Sequence, residues 1–169
     1  MKKYLFTFSL ILLIVGCSTK ETMEEEYTLF WDTREEVDPY PTYRLFVDSF
    51  MEEGDLEEVE ANYQIALEQL SEAIRIIESL EFETSEVVEI NDLYVKSLQE
   101  YKNSVQLFED SLQEAINDNS DDRIEAFREH TYNANVYQAR LLNREIESGI
   151  RGEDHITPEM ESFIDEYLE

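Results

Sequence analysis

The sequence predicts an all-α protein: an up-down bundle of three long helices with short N- and C-terminal helices. Three observations carry this. Only four Gly and three Pro occur in 169 residues, so few positions force the chain to turn. From Leu56 onward, apolar residues recur at alternating spacings of three and four, the seam of a helix packed lengthwise on others. Apolar residues reach 42%, with ten Tyr and nine Phe, enough for a core that an acidic disordered chain would lack.

Residues 1–16 have a different composition. Lys2 and Lys3 precede an apolar run from Tyr4 to Val15. The run can enter a translocon but is too short for a permanent span, which needs about 20 apolar residues for ~30 Å of hydrocarbon. Ile14-Val15-Gly16-Cys17 resembles a lipobox, the processing site of bacterial lipoproteins, with Ile14 where Leu is common. The resemblance covers only the signal segment and Cys17. It implies cleavage between Gly16 and Cys17 and a diacylglyceryl group on the Cys17 thiol. The mature chain would then sit lipid-anchored on the extracytoplasmic face of the cell membrane. Each buried CH₂ contributes ~0.8 kcal/mol, and two acyl chains hold stably where one binds reversibly. Cys17 is the only cysteine, so no disulfide can form within the chain. The remainder divides into a lipidated tether, residues 17–26, and an acidic helical domain, residues 27–169.

The elements follow in order. Thr22 and Glu25 form a capping-box pair, with Met23, Tyr27, Phe30 and Trp31 then at helical spacing. Trp31 is close enough to the anchor to reach the membrane interface, but packing on the bundle is the expectation. Asp38-Pro39 and Pro41 stop this helix. A second short helix runs from about Thr42 to Glu53, with Tyr43, Phe46, Val47 and Phe50 on one side, and Gly54 ends it. Asp55 and Glu58 make another capping box, opening a helix with Leu56, Val59, Tyr63, Ala66, Leu70, Ala73, Ile77 and Leu80 inward.

The next seam places Val87, Tyr94, Tyr101, Phe108 and Ala115 seven apart, interleaved with Asn91, Leu98, Val105 and Leu112. This predicts one long helix from Ser85 past Ala115. Asn91 could set register, or face water near the helix start, which is the reading preferred from sequence. A third long helix is predicted from about Asp121 to Ser148, ended by Gly149 and Gly152. A last short helix starts at Thr157-Pro158, with Met160, Phe163, Ile164 and Tyr167/Leu168 inward. Rods of roughly 27 to 33 residues would be about 40–50 Å long at ~1.5 Å per residue.

Charge narrows the function classes. Without residues 1–16 the chain has 11 Lys and Arg (13 less Lys2 and Lys3) against 41 Asp and Glu, a formal charge of 11 − 41 = −30. That repels nucleic acid phosphates and anionic headgroups. Glu24–Glu26 and Glu57/Glu58/Glu60 read as solvated acidic faces.

Motifs for chemistry are scarce. There is no Gly-x-Ser-x-Gly, phosphate-binding glycine loop or His-Glu-x-x-His. Neither His130 nor His155 has a Glu three residues before it, which removes the di-iron bundle class. Asp118-Asn119-Ser120-Asp121-Asp122 with Glu129 spaces oxygen ligands as an EF-hand does, but Arg123 stands where the loop needs Gly. An acidic helix-to-helix turn is the expectation, with no metal and no cofactor. The stretch from His130 to Gln138 is polar yet uncharged, and Tyr132, Asn135 and Tyr137 are its candidate ligand-groove residues. The expectation is a non-enzymatic envelope lipoprotein that binds a protein partner or small polar ligand. The alternative is a structural protein pairing lengthwise with another helical protein or itself. A pocket lined by Tyr132, Asn135 and Tyr137 would favour the first; an exposed apolar stripe along Val87–Ala115 would favour the second.

Overall fold

The computed structural model describes residues 20–51, 55–109, 112–117 and 122–168. The signal segment, Gly16, Cys17, Gly54 and residues 118–121 of the EF-hand-like turn lie outside them. All the regular structure among the described residues is helical: α1 (20–36), α2 (Tyr40–Met51), α3 (Leu56–Glu78), α4 (Ser85–Gln106), α5 (Leu112–Asn117), α6 (Asp122–Glu147) and α7 (Pro158–Leu168), with a 3₁₀ turn at Glu153–His155. No described helix is long and apolar enough to cross a membrane.

α3, α4 and α6 are the three long rods, of 23, 22 and 26 residues. That makes them about 33–39 Å long at ~1.5 Å per residue, shorter than the sequence predicts. α4 packs against both α3 and α6. The groove left by these rods is filled by α1 and α2, which together act as a fourth rod interrupted at Val37–Pro39. Tyr27 of α1 reaches Glu145 at the C-terminal end of α6. Phe50, at the far end of α2, meets Phe108 beyond α4 and Phe127 near the start of α6. The order is therefore up (α1–α2), down (α3), up (α4), down (α6), with α7 laid along α6.

Local chemistry explains the boundaries. Asp55 Oδ1 accepts the Glu58 N–H at 2.9 Å, the cap expected for α3. α2 begins two residues earlier than predicted, at Tyr40, because Pro41 falls in its first turn, where no N–H is needed. α6 ends at Gly149, whose φ of 68° supplies the left-handed turn. Thr157 Oγ1 accepts the Met160 N–H at 3.3 Å and Pro158 opens α7, as its sequence implies.

Four expectations are corrected. Residues 20–26, expected as tether, are already helical. Glu26 leaves the solvated run and binds the Glu83 and Thr84 N–H groups at 2.7 and 3.0 Å, capping α4 from another element. Burial opposes its charge, but the Thr84 side chain and these two N–H groups outweigh that and hold its carboxyl below the ordinary value. The helix predicted from Ser85 past Ala115 breaks after Gln106, where Leu107–Glu109 form a turn before α5. Glu109-Asp110-Ser111 is rich in residue types that favour caps over helix interiors, and the break seats Phe108 fully buried among Phe46, Phe50 and Phe127. Asn91, preferred as water-facing, is buried, with Nδ2 at 3.5 Å from the Ile77 carbonyl.

The core follows the seams. Val59, Tyr63, Ala66, Leu70, Ala73 and Ile77 are buried on α3, and Ile124, Phe127, Ala134 and Leu141 on α6. Val87, Tyr94, Leu98, Tyr101, Val105 and Phe108 are buried as well, so the stripe that lengthwise pairing would use is covered within the chain from Val87 to Phe108. Trp31 packs against this core between Tyr27 and the two arginines Arg34 and Arg151. The inward residues of α7, among them Met160 and Phe163, are only half-buried.

Candidate functional site

The interruption between α1 and α2 opens a cavity of 520 Å³. Its walls come from Arg34, Asp38 and Pro39 at the break, Tyr40 and Tyr43 on α2, Leu70 on α3, and Tyr94, Leu98 and Tyr101 on α4. Asn135, Gln138 and Leu142 of α6 close one side, and Thr157, Glu159, Met160 and Phe163 bring α7 and its cap over it. A continuous helix in the fourth position would carry side chains into this space. Pro39 prevents that continuity by disfavouring αR at Asp38.

The polar groups are tied to one another across helices. Tyr101 donates to Asn135 Oδ1 at 2.7 Å, and Asn135 Nδ2 donates to the Tyr167 hydroxyl at 3.0 Å. The Tyr43 hydroxyl lies 2.8 Å from Thr131 Oγ1 and 3.3 Å from Ser104 Oγ. Gln138 Nε2 donates to the buried Ser97 hydroxyl at 2.9 Å, while its Oε1 stands 3.5 Å from Arg34 Nη2. Burial pushes the hydroxyls of Tyr43, Tyr94 and Tyr101 above their ordinary value, so all three are neutral donors at neutral pH. At Tyr94 the Arg34 charge partly offsets that push.

The candidate groove residues separate. Asn135 lines the cavity. Tyr132 is 53% exposed and packs on the Tyr167 ring at 5.4 Å; Tyr137 stands under the Arg140 guanidinium at 5.7 Å. Neither is part of the cavity wall: residue 137 falls on another side of α6 than residues 135 and 138, and Tyr132, one turn before Asn135, packs instead on the Tyr167 ring. The uncharged stretch does mark the site, since its polar side chains pair across the bundle. His130 Nδ1 is 2.6 Å from Glu100 Oε2, and Thr131, Asn135 and Gln138 bond as described. Sequence reasoning missed Arg34, Tyr43 and Tyr101 as site residues. Tyr43 and Tyr101 sit at seam positions, where an aromatic reads as packing, and Arg34 has no motif around it. The Asp38-Pro39 break was a usable signal for where the cavity lies.

A second polar centre lies at the other end of α1. Glu145 is fully buried, accepts from the Tyr27 hydroxyl at 2.9 Å and from Arg151 Nε at 2.8 Å, and pairs with Arg151 Nη2 at 2.7 Å. Arg151 also covers the Trp31 ring at 5.3 Å. This cluster fastens the segment after α6 to α1. No group of three or more His, Cys, Asp or Glu is placed to hold a metal ion among the described residues; Asp122 and Glu129 of the EF-hand-like turn are described, the other four residues are not. No protein-family model matches the chain, and no curated protein or solved structure does.

Proposed function

We propose that the chain is a lipoprotein of the bacterial cell envelope, held on the extracytoplasmic face of the membrane through lipid on Cys17, whose helical bundle binds a small ligand without catalysis. The observation that carries the binding reading is the 520 Å³ cavity at the α1–α2 break. It falls in the range of small-molecule sites, ~300–1,000 Å³, and combines an aromatic wall with a few polar groups from separate helices. Among the described residues its lining contains no histidine, cysteine or lysine, and its buried tyrosine hydroxyls hold their protons. Such a wall orients a ligand and offers no activated nucleophile or poised base.

The anchor is tested by labelling cells with a palmitate analogue. Incorporation into the wild type and none into Cys17→Ser is expected; equal labelling, or membrane retention of a cleaved Cys17→Ser chain, would overturn it. The binding reading is tested by ligand-observed NMR with a library of small carboxylates, amides and amines. We expect compounds that bind the wild type and lose binding in Leu98→Trp, whose indole fills the cavity. A wild type that binds none of them at millimolar concentration would remove the reading.

A further inference from the structure

Several of the described cations stand beside a carboxylate: Arg44 beside Asp48, Arg75 beside Glu72, Arg144 beside Glu89 and Arg151 beside Glu145. Arg34 does not. Among the described residues no carboxylate lies within ion-pair distance of it. Its guanidinium carbon lies 4.6 Å from the centroid of the Trp31 ring and 4.6 Å from that of the Tyr94 ring. Nη2 stands 3.5 Å from Gln138 Oε1, the Tyr94 hydroxyl is a second side-chain partner of the guanidinium, and Nη1 is shut from solvent with no acceptor. The two carboxylates that line the cavity, Asp38 and Glu159, are solvent-exposed at its rim, and Asp38 Oδ1 already accepts the Tyr40 N–H at 3.1 Å.

A guanidinium presents its N–H donors as a planar fork that matches the two oxygens of a carboxylate. We infer that the cavity takes a small organic carboxylate, with the anionic end on Arg34 and an apolar body against Tyr94, Leu98, Tyr101 and Leu70. This rests on the ligand-binding reading of the cavity. A neutral ligand would leave the guanidinium without a counter-charge, and a cation would have to sit at the rim beside Asp38 and Glu159.

Three probes of one shape but different charge decide it: 3-phenylpropanoate, 3-phenylpropanamide and 3-phenylpropylamine. Each is titrated calorimetrically into the full-length lipidated protein in phosphatidylcholine nanodiscs, with empty nanodiscs as reference. The expected result is that the carboxylate binds about tenfold or more tighter than the amide, and the amine more weakly than either. Arg34→Met should abolish the preference, and Arg34→Lys should keep part of it because the charge remains while the fork is lost. If the amide or amine binds as well as the carboxylate, the assignment of Arg34 is overturned while the cavity remains a ligand site. If none binds at about 10 mM, weaker than the Kd range of even weak specific complexes, both readings fall. Should Arg34→Met fail to fold by circular dichroism, the wild-type series decides alone.

Discussion

Tyr101 and Asn135 are joined by a 2.7 Å hydrogen bond from the buried tyrosine hydroxyl to the amide oxygen, across the α4–α6 interface. Asn135 passes the link on to Tyr167, so one side chain connects the cavity wall to the helix that covers it. Asn135→Ala leaves the Tyr101 hydroxyl buried without an acceptor, which costs about 1–3 kcal/mol. We expect that loss in urea unfolding, together with faster amide exchange across α7. Tyr132→Ala, at a half-exposed ring that packs on Tyr167, should stay within about 0.5–1.5 kcal/mol. Equal losses for the two would show that Asn135 has no special place in the network.

Glu26 caps α4 through the N–H groups of Glu83 and Thr84. Glu26→Gln should reduce stability by about 0.5–2 kcal/mol at neutral pH, the range for a lost cap. The folded carboxyl lies below its ordinary value of 4.5. Its contribution is therefore present above that value and disappears as pH falls through the lower folded value. Urea midpoints of wild type and Glu26→Gln should differ at neutral pH and converge in acid; a constant difference would count against the cap.

Tyr27, Tyr43, Tyr94 and Tyr101 all have hydroxyls raised above the ordinary 10.0, burial being the first cause in each. A raised acid stays protonated in the fold while the unfolded chain loses its proton. Stability is thus fully present below the ordinary value and is lost as pH rises beyond it. Tyrosinate absorbance should appear in two stages, exposed rings first and these four together with unfolding. Titration of all rings in one early step would contradict their burial.

Glu145 is wholly buried and depends on Arg151 and Tyr27. Arg151→Ala strands a buried charge and should cost about 3–5 kcal/mol, measured by chemical denaturation. The double variant Glu145→Leu, Arg151→Met should recover most of that, because it removes both charges and keeps the volume. A double variant as unstable as Arg151→Ala would mean that packing, not the stranded charge, dominates.

The helical seams could be read from sequence because burial along a rod imposes a period that Val59, Leu70, Tyr94 and Leu141 all obey. Helix starts at Asp55 and Pro158 were equally legible, since capping is local chemistry. What escaped is what depends on neighbours distant in sequence. Glu26 looks like any glutamate of an acidic run until α4 is placed over it, and Phe108 ends a helix because an aromatic cluster from two other elements receives it. At the site, the uncharged stretch pointed to α6 and to Asn135. Its partners Arg34, Tyr43 and Tyr101 come from two other rods and share no spacing with it.

The most direct measurement is a crystal structure of the protein grown with 3-phenylpropanoate. The account predicts the ligand inside the cavity at the α1–α2 break, its carboxylate on the Arg34 fork and its ring against Tyr94 and Tyr101. A cavity that holds only water, with the ligand elsewhere or absent, would contradict it.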